Sequence, residues 1–329
     1  GLKYFVLGGF ASAFFLYGLA LVYGATGSTN IGEMVDAVAA GINEDNDALA
    51  LAGIALLIVG LGFKVAAAPF HIWAPDVYQG APSPVTAFMA SAGKAAAFGA
   101  VIRVLVSGLP AYRDDWQPII WVLALLSLVV GSFLAVVQTN VKRMLAYSSI
   151  SHAGFLLVGV EAAAHTAGEA IPGSGVASVQ LYLLLYAVLV IGSFGVITVV
   201  AGDDDASLDV FKGLAKRKPL LAVAFTVFLL AQAGVPFTSG FIAKFGVIQA
   251  AVEVESYAIA IVAMVSAVVA AFLYLRIMVS MWLHGDDAPA ISVPVAATAA
   301  IGLAAVFTIG VGVYPTWFID WADAITLTR

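Results

Sequence analysis

Apolar residues run along this chain in stretches of about twenty, the length a helix needs to cross a bilayer core. Nine such runs lie at 2–24, 49–78, 83–108, 117–138, 143–162, 177–201, 219–250, 256–283 and 291–319. They predict an all-α polytopic membrane protein with nine spanning segments. A membrane β-barrel would instead show short stretches alternating with period two. The second and seventh runs exceed one plain crossing, and both hold proline: Pro69 and Pro75 in one, Pro236 in the other. Proline removes a helix hydrogen bond, and lipid tolerates that only where protein or a wet cavity covers the freed groups. Both runs are therefore expected to be discontinuous helices.

Composition supports the same class. The 329 residues are 62% hydrophobic and 10% charged, against about 25% charged in a soluble domain. The chain has no Cys, so it holds no disulfide and no thiolate-ligated zinc or iron–sulfur cluster. Its four histidines, His71, His152, His165 and His284, are scattered without ligand spacing, and His165 and His284 fall in expected loops. No metal or cofactor site is expected within it. No basic patch points to nucleic acid. The chain begins with Gly1 inside an apolar run and no signal peptide is visible; it reads as starting part-way into a longer protein.

Loop charge sets an orientation. Lys142 and Arg143 mark the loop 139–143, and Lys212, Lys216, Arg217 and Lys218 mark 202–218. These loops are expected on the cytoplasmic side. The acidic loop 25–48, the loop 163–176 and the C-terminus then lie outside.

Charge inside the apolar runs is the feature that calls for chemistry. Lys64, Lys94 and Lys244 are expected mid-span, and no Asp or Glu is placed mid-span to pair with them. A charge at the bilayer centre costs roughly 2.5–3.5 kcal/mol on insertion scales and usually marks an ion path or a buried pair. A row of such lysines, joined by water and neutral polar groups, fits a proton relay; a static pair with a carboxylate elsewhere is the competing role. Arg103 and Arg276 lie nearer span ends and fit snorkelling to headgroups or a static pair. His152, after YSSIS, fits helix packing or a relay, since imidazole titrates near neutrality. Tyr182 and Tyr186, four apart on one helix face, fit packing or the wall of a wet path. His71, in PFHIW beside the first break, fits local ordering of backbone or water. The two interrupted segments, FKVAAAPFHIWAP and AGVPFTSGFIAKF, also suggest paired repeats around a site near the midplane.

Three long motifs, FKVAAAPFHIWAPDVYQGAPSPVTAFMASAGKAAAF, NVKRMLAYSSISHAGFLLVG and AGVPFTSGFIAKF, resemble the antiporter-like membrane subunits of respiratory complex I (NADH:quinone oxidoreductase), N type. The resemblance covers about the whole chain in the family's order. The run PDVYQGAP, the lysine at position 94, and Tyr182 and Tyr186 where the L type has a histidine pair, separate it from the L and M types.

The resemblance implies a fourteen-helix inverted-repeat fold, with the nine segments here matching helices six to fourteen. Residues 1–116 would carry the end of the first repeat and its preceding helix, 117–284 the second repeat, and 285–329 the last span and tail. It also implies that Lys64, Lys94 and Lys244 form a central proton-relay axis. The acidic partner of Lys64 would lie in a helix about twenty residues before Gly1. As a translocase subunit the chain would carry no redox centre. NADH, FMN, iron–sulfur clusters and quinone would be bound by other subunits of the complex. Its neighbours would be M-, K-, A-, J- and L-type membrane subunits in a bacterial cell membrane. Alternatives are a subunit of a multi-subunit cation/proton (Mrp-like) antiporter, a related membrane-bound hydrogenase subunit, or a scaffold with statically paired lysines.

Overall fold

The computed structural model describes residues 1–166, 174–202, 205–283 and 291–324. Among them the chain is helical and forms no strand; Asn140 and Ser207 make an isolated bridge. Thirteen helices carry the architecture. They are α1 Leu2–Thr26, α2 Ile31–Ala39, α3 Glu44–Val65, α4 Ala74–Gly80, α5 Ser83–Ser107, α6 Arg113–Val136, α7 Val141–His165, α8 Gly175–Ala201, α9 Pro219–Ala233, α10 Ser239–Glu253, α11 Tyr257–Leu283, α12 Val295–Val313 and α13 Thr316–Asp323.

Seven stretches are long and apolar enough to cross a membrane: α1, α3, α5, α6 with the short turn before it, α8, α11 and α12. Their outward faces are greasy, as in Phe5 and Phe10 of α1 and Val268 and Phe272 of α11. α7 is not among the seven, because it carries Lys142, Arg143, Ser148, Ser149, Ser151, His152 and Glu161. It occupies the centre instead, and all but two of its twenty-five residues are buried. A helix sheathed by other helices faces no lipid and need not be apolar.

Local chemistry sets the ends. The Asn30, Asn43, Asn140 and Ser174 side chains accept from backbone N–H groups in the first turns of α2, α3, α7 and α8, satisfying donors the helix leaves open. α6 and α7 approach closely at glycine: a Cβ on Gly131 would lie 2.4 Å from the Ser151 nitrogen.

Two breaks differ from plain crossings. α3 stops at Val65, where Ala66 turns left-handed at φ 59°, and the chain resumes helix at Ala74 after a cis Ala68–Pro69 bond. The exposed backbone here is covered by protein. Ser127 Oγ accepts from the Ala68 N–H at 2.9 Å, and Trp73 Nε1 donates to the Phe63 carbonyl at 3.0 Å. α9 ends at Gly234 (φ 90°), and α10 begins at Ser239 beyond Pro236 and a left-handed Phe237. The acidic stretch expected as loop 25–48 contains α2, and the last apolar run divides at Pro315 into α12 and α13.

Candidate functional site

Three residues on one face of α7 organise the interior. Ser149, His152 and Phe155 are spaced by three, so they stack along the helix over about 9 Å of axial rise. Each meets a different group from a surrounding helix.

Lys94 approaches Ser149. It follows a π-helical turn, Met89–Gly93, within α5 and is 3% exposed. Its Nζ donates to the Ser149 carbonyl at 2.5 Å and to Ser149 Oγ at 2.6 Å, and sits 5.7 Å from the centre of the Tyr186 ring. The Tyr78 hydroxyl lies 3.5 Å from the same Ser149 Oγ.

His152 takes the middle. Its Nδ1 is 2.6 Å from the Tyr182 hydroxyl, and its Nε2 is 3.4 Å from the Tyr274 hydroxyl. Tyr274 is bonded in turn to Ser148 Oγ at 2.6 Å. The Tyr186 ring lies 4.6 Å from the imidazole, centroid to centroid. Tyr182 and Tyr186 are both buried, so the pair packs while Tyr182 also bonds the histidine.

Lys244 lies against Phe155, its Nζ 4.9 Å from the ring centre. The break between α9 and α10 holds it. Nζ donates to the carbonyls of Gln232 at 2.8 Å and Ala233 at 3.1 Å. These groups end α9, where the helix dipole favours a cation. Gln232 is fixed by its own bond to Ser193 Oγ at 2.8 Å. Among the described residues neither Lys94 nor Lys244 has a carboxylate within ion-pair distance. Both ammonium groups are held by neutral oxygens and aromatic faces.

Several sequence expectations need correction. Lys64 is exposed near the end of α3 and makes no hydrogen bond to the Lys94–His152–Lys244 cluster among the described residues. His71 is half-buried between α3 and α4, with Nδ1 buried and unpartnered among the described residues. Arg276 has no carboxylate within ion-pair distance among the described residues: its guanidinium donates to the carbonyls of Val136 and Gln138, where α6 ends. Arg103 is half-buried in the last, π-helical turn of α5. Pro75 is buried in the first turn of α4, whereas Pro69 and Pro236 are exposed.

An acidic residue also lies inside the bundle, against expectation. Glu161, near the end of α7, is fully buried. His165 belongs to the same helix end, not to a loop, and its Nε2 is 3.1 Å from Glu161 Oε1. His284 lies outside the described residues. Ser149, Tyr274, Gln232 and Glu161 were not singled out from sequence. The polar run YSSISH within an apolar helix was the available signal for Ser149, while Tyr274 and Gln232 carry none.

At the Lys/Arg-rich end of α7, Asp76 of α4 bonds Lys3 of α1 and Arg143 of α7, the latter at 2.6 Å. Among the described residues no three His, Cys, Asp or Glu side chains gather where they could hold a metal.

The chain is similar to known proteins over most of its length. Residues 1–270 match a family described as NADH:quinone oxidoreductase/Mrp antiporter, transmembrane. A relative from Mycobacterium bovis, NADH-quinone oxidoreductase subunit N, is 46% identical over 98% of this chain and 60% of its own length. The chain thus spans about 60% of that relative. A chain of respiratory complex I from Thermus thermophilus superposes with a TM-score of 0.82 at 37% identity, over 97% of this chain and 67% of that one. A chain of an archaeal membrane-bound sulfane sulfur reductase superposes at 0.84 with 31% identity, over 99% and 66%.

Proposed function

The chain belongs to the NADH:quinone oxidoreductase/Mrp antiporter membrane family, and from that premise we propose that it is the proton-translocating part of an N-type subunit of NADH:quinone oxidoreductase. The relative named subunit N, at 46% identity, supports the subunit type. In this reading the nine apolar segments each cross the membrane, with α3–α4 and α9–α10 as its two discontinuous helices and the Lys/Arg-rich end of α7 towards the cytoplasm. Residues 117–284 form the second repeat, NADH, FMN, iron–sulfur clusters and quinone are bound elsewhere in the complex, and the neighbours are other membrane-arm subunits.

The observation that carries the mechanism is the α7 face, on which Ser149, His152 and Phe155 touch Lys94, Tyr182 and Lys244. An ammonium held only by neutral oxygens loses no ion pair when it gives up its proton. His152, bonded on both ring nitrogens by tyrosine hydroxyls, can receive a proton on one side and release one on the other. Lys64, Lys94 and Lys244 are thus the stations of the relay, with His152 between the last two. Redox chemistry elsewhere would shift charge towards the first station, and each protonated station disfavours protonation of the next.

Lys244→Ala in the assembled complex is expected to lower the number of protons moved per electron while NADH oxidation by the peripheral centres continues. An unchanged ratio in reconstituted vesicles would remove Lys244 from the path. A second reading, a subunit of a related cation/proton antiporter or respiratory membrane complex, draws on the superposition with the archaeal reductase chain. The subunits that co-purify decide: flavin and iron–sulfur proteins that oxidise NADH indicate the first reading.

A further inference from the structure

The relay leaves one buried ionisable group unused. Glu161 lies two turns beyond Phe155 on α7, about 9 Å further along the axis, at the end opposite Lys142 and Arg143. Three structural elements converge on its Oε1. Gln117 Nε2 of α6 donates to it at 2.6 Å, Ser256 Oγ from the turn between α10 and α11 donates at 2.8 Å, and His165 Nε2 lies 3.1 Å away. The other oxygen, Oε2, is buried and has no hydrogen-bond partner among the described residues.

That asymmetry is chemically informative. An ionised carboxylate accepts on both oxygens, and a buried one left half-satisfied carries a large desolvation cost. A protonated carboxyl left with one oxygen unpartnered carries a much smaller cost, because no charge is buried. Gln117 and His165 in turn line an open recess of about 130 Å³, together with Arg113, Asp114 and Ala164. The recess is polar and large enough to admit water. Glu161 therefore sits between the sealed interior and a wet surface, with one half-exposed imidazole between it and solvent. The charged groups around this end are Arg113 and Asp114 on α6, His165 on α7 itself, and Glu253 and Glu255 where α10 gives way to α11.

We propose that Glu161 and His165 form the proton-transfer gate at this face of the membrane, completing the relay read above and resting on that reading. A proton reaching Glu161 from the interior is held on Oε2 as the neutral acid. Rotation of the carboxyl brings the protonated oxygen to His165 Nε2, which accepts the proton in its Nδ1–H tautomer; carboxylate and imidazolium result, and the imidazolium releases its Nδ1 proton to water in the recess. The carboxylate is then ready for the next proton.

Glu161→Gln tests the gate in the complete complex reconstituted in vesicles. The amide oxygen can still accept from Gln117 and Ser256, so the tie between helices survives while the proton site is lost. Proton translocation is expected to fall about a hundredfold, at the low end of what a positioned proton-transfer group contributes. Its dependence on pH at the His165 face should flatten. Glu161→Asp should restore part of the rate and the pH dependence, and decides the matter if the glutamine variant assembles poorly. A glutamine variant with the parent's proton-to-electron ratio and pH profile overturns the gate. So does an aspartate variant that recovers neither rate nor pH dependence despite normal assembly. Lys244→Ala, measured alongside, separates the two readings: loss there with none at Glu161 removes only the gate, whereas normal pumping in both removes the relay itself.

Discussion

Charge inside this bundle is stabilised mostly without countercharge. Lys94, Lys244 and Arg276 each donate to backbone carbonyls, and for Lys244 and Arg276 those carbonyls end a helix. Asp76 is the contrasting case. It is 40% exposed and paired with Lys3 and Arg143, themselves 43% and 30% exposed. Solvent screens such pairs, so the tie contributes about 1 kcal/mol at most. Its sign is fixed by the charge: protonating the carboxyl in acid removes the attraction to Lys3 and Arg143, so the tie is present near neutrality and lost as pH falls. Asp76→Asn should therefore melt slightly below the parent near neutrality, and the two melting curves should converge in acid. A gap that persists in acid would mean the asparagine disturbs packing and that the ion pair itself contributes little.

At the scale of elements, the breaks matter more than the crossings. The break between α9 and α10 presents the Gln232 and Ala233 carbonyls to Lys244 because α10 passes very close to the end of α9. A Cβ on Gly240 would lie 1.8 Å from the Ala231 oxygen and 2.5 Å from its carbonyl carbon. Backbone cannot yield as a flexible side chain does, so Gly240→Ala must push the two helices apart, at a cost of about 1–3 kcal/mol or more. It should lower both thermal stability and proton translocation by moving the carbonyls away from Nζ. Gly302→Ala on α12, where nothing lies within 4 Å of the added Cβ, should leave both unchanged. Equal behaviour of the two variants would show that the close approach does not position Lys244. Proline and lysine in long apolar runs are costly anywhere else, which is what made these two segments stand out in the sequence. The partners did not stand out. Apolar periodicity says that α7 is a helix but not that other helices sheathe it, so burial of Glu161 and the Lys94–Ser149 bond escaped the sequence.

At the scale of the whole molecule, the polar interior and the charged ends share one axis. α7 runs from Lys142 and Arg143 at one end, through Ser149 and His152, to Glu161 and His165 at the other. The Lys/Arg-rich segment that follows α8, with Lys212, Lys216 and Lys218, lies at the same end as Lys142: the Leu208 N–H bonds the Thr139 carbonyl, and the Val141 N–H bonds the Ala206 carbonyl. The acidic first turn of α3, with Glu44, Asp45 and Asp47, belongs to the far end, where the Tyr112 hydroxyl bonds Asp47 near the start of α6. Positive charge is retained on the cytoplasmic face during insertion, so the Lys142 end of this axis is the one expected to face the cytoplasm. The chain has no Cys, which makes single-cysteine labelling unambiguous within it. Lys216→Cys should react with a membrane-impermeant maleimide only from the cytoplasmic face of sealed vesicles, and Asp45→Cys only from the opposite face, both positions being exposed. Labelling of both from one face would place an even number of crossings between them and break the nine-crossing order. Labelling from opposite faces in the reverse sense would keep the fold and invert the transport, putting Glu161 and His165 at the side where protons enter.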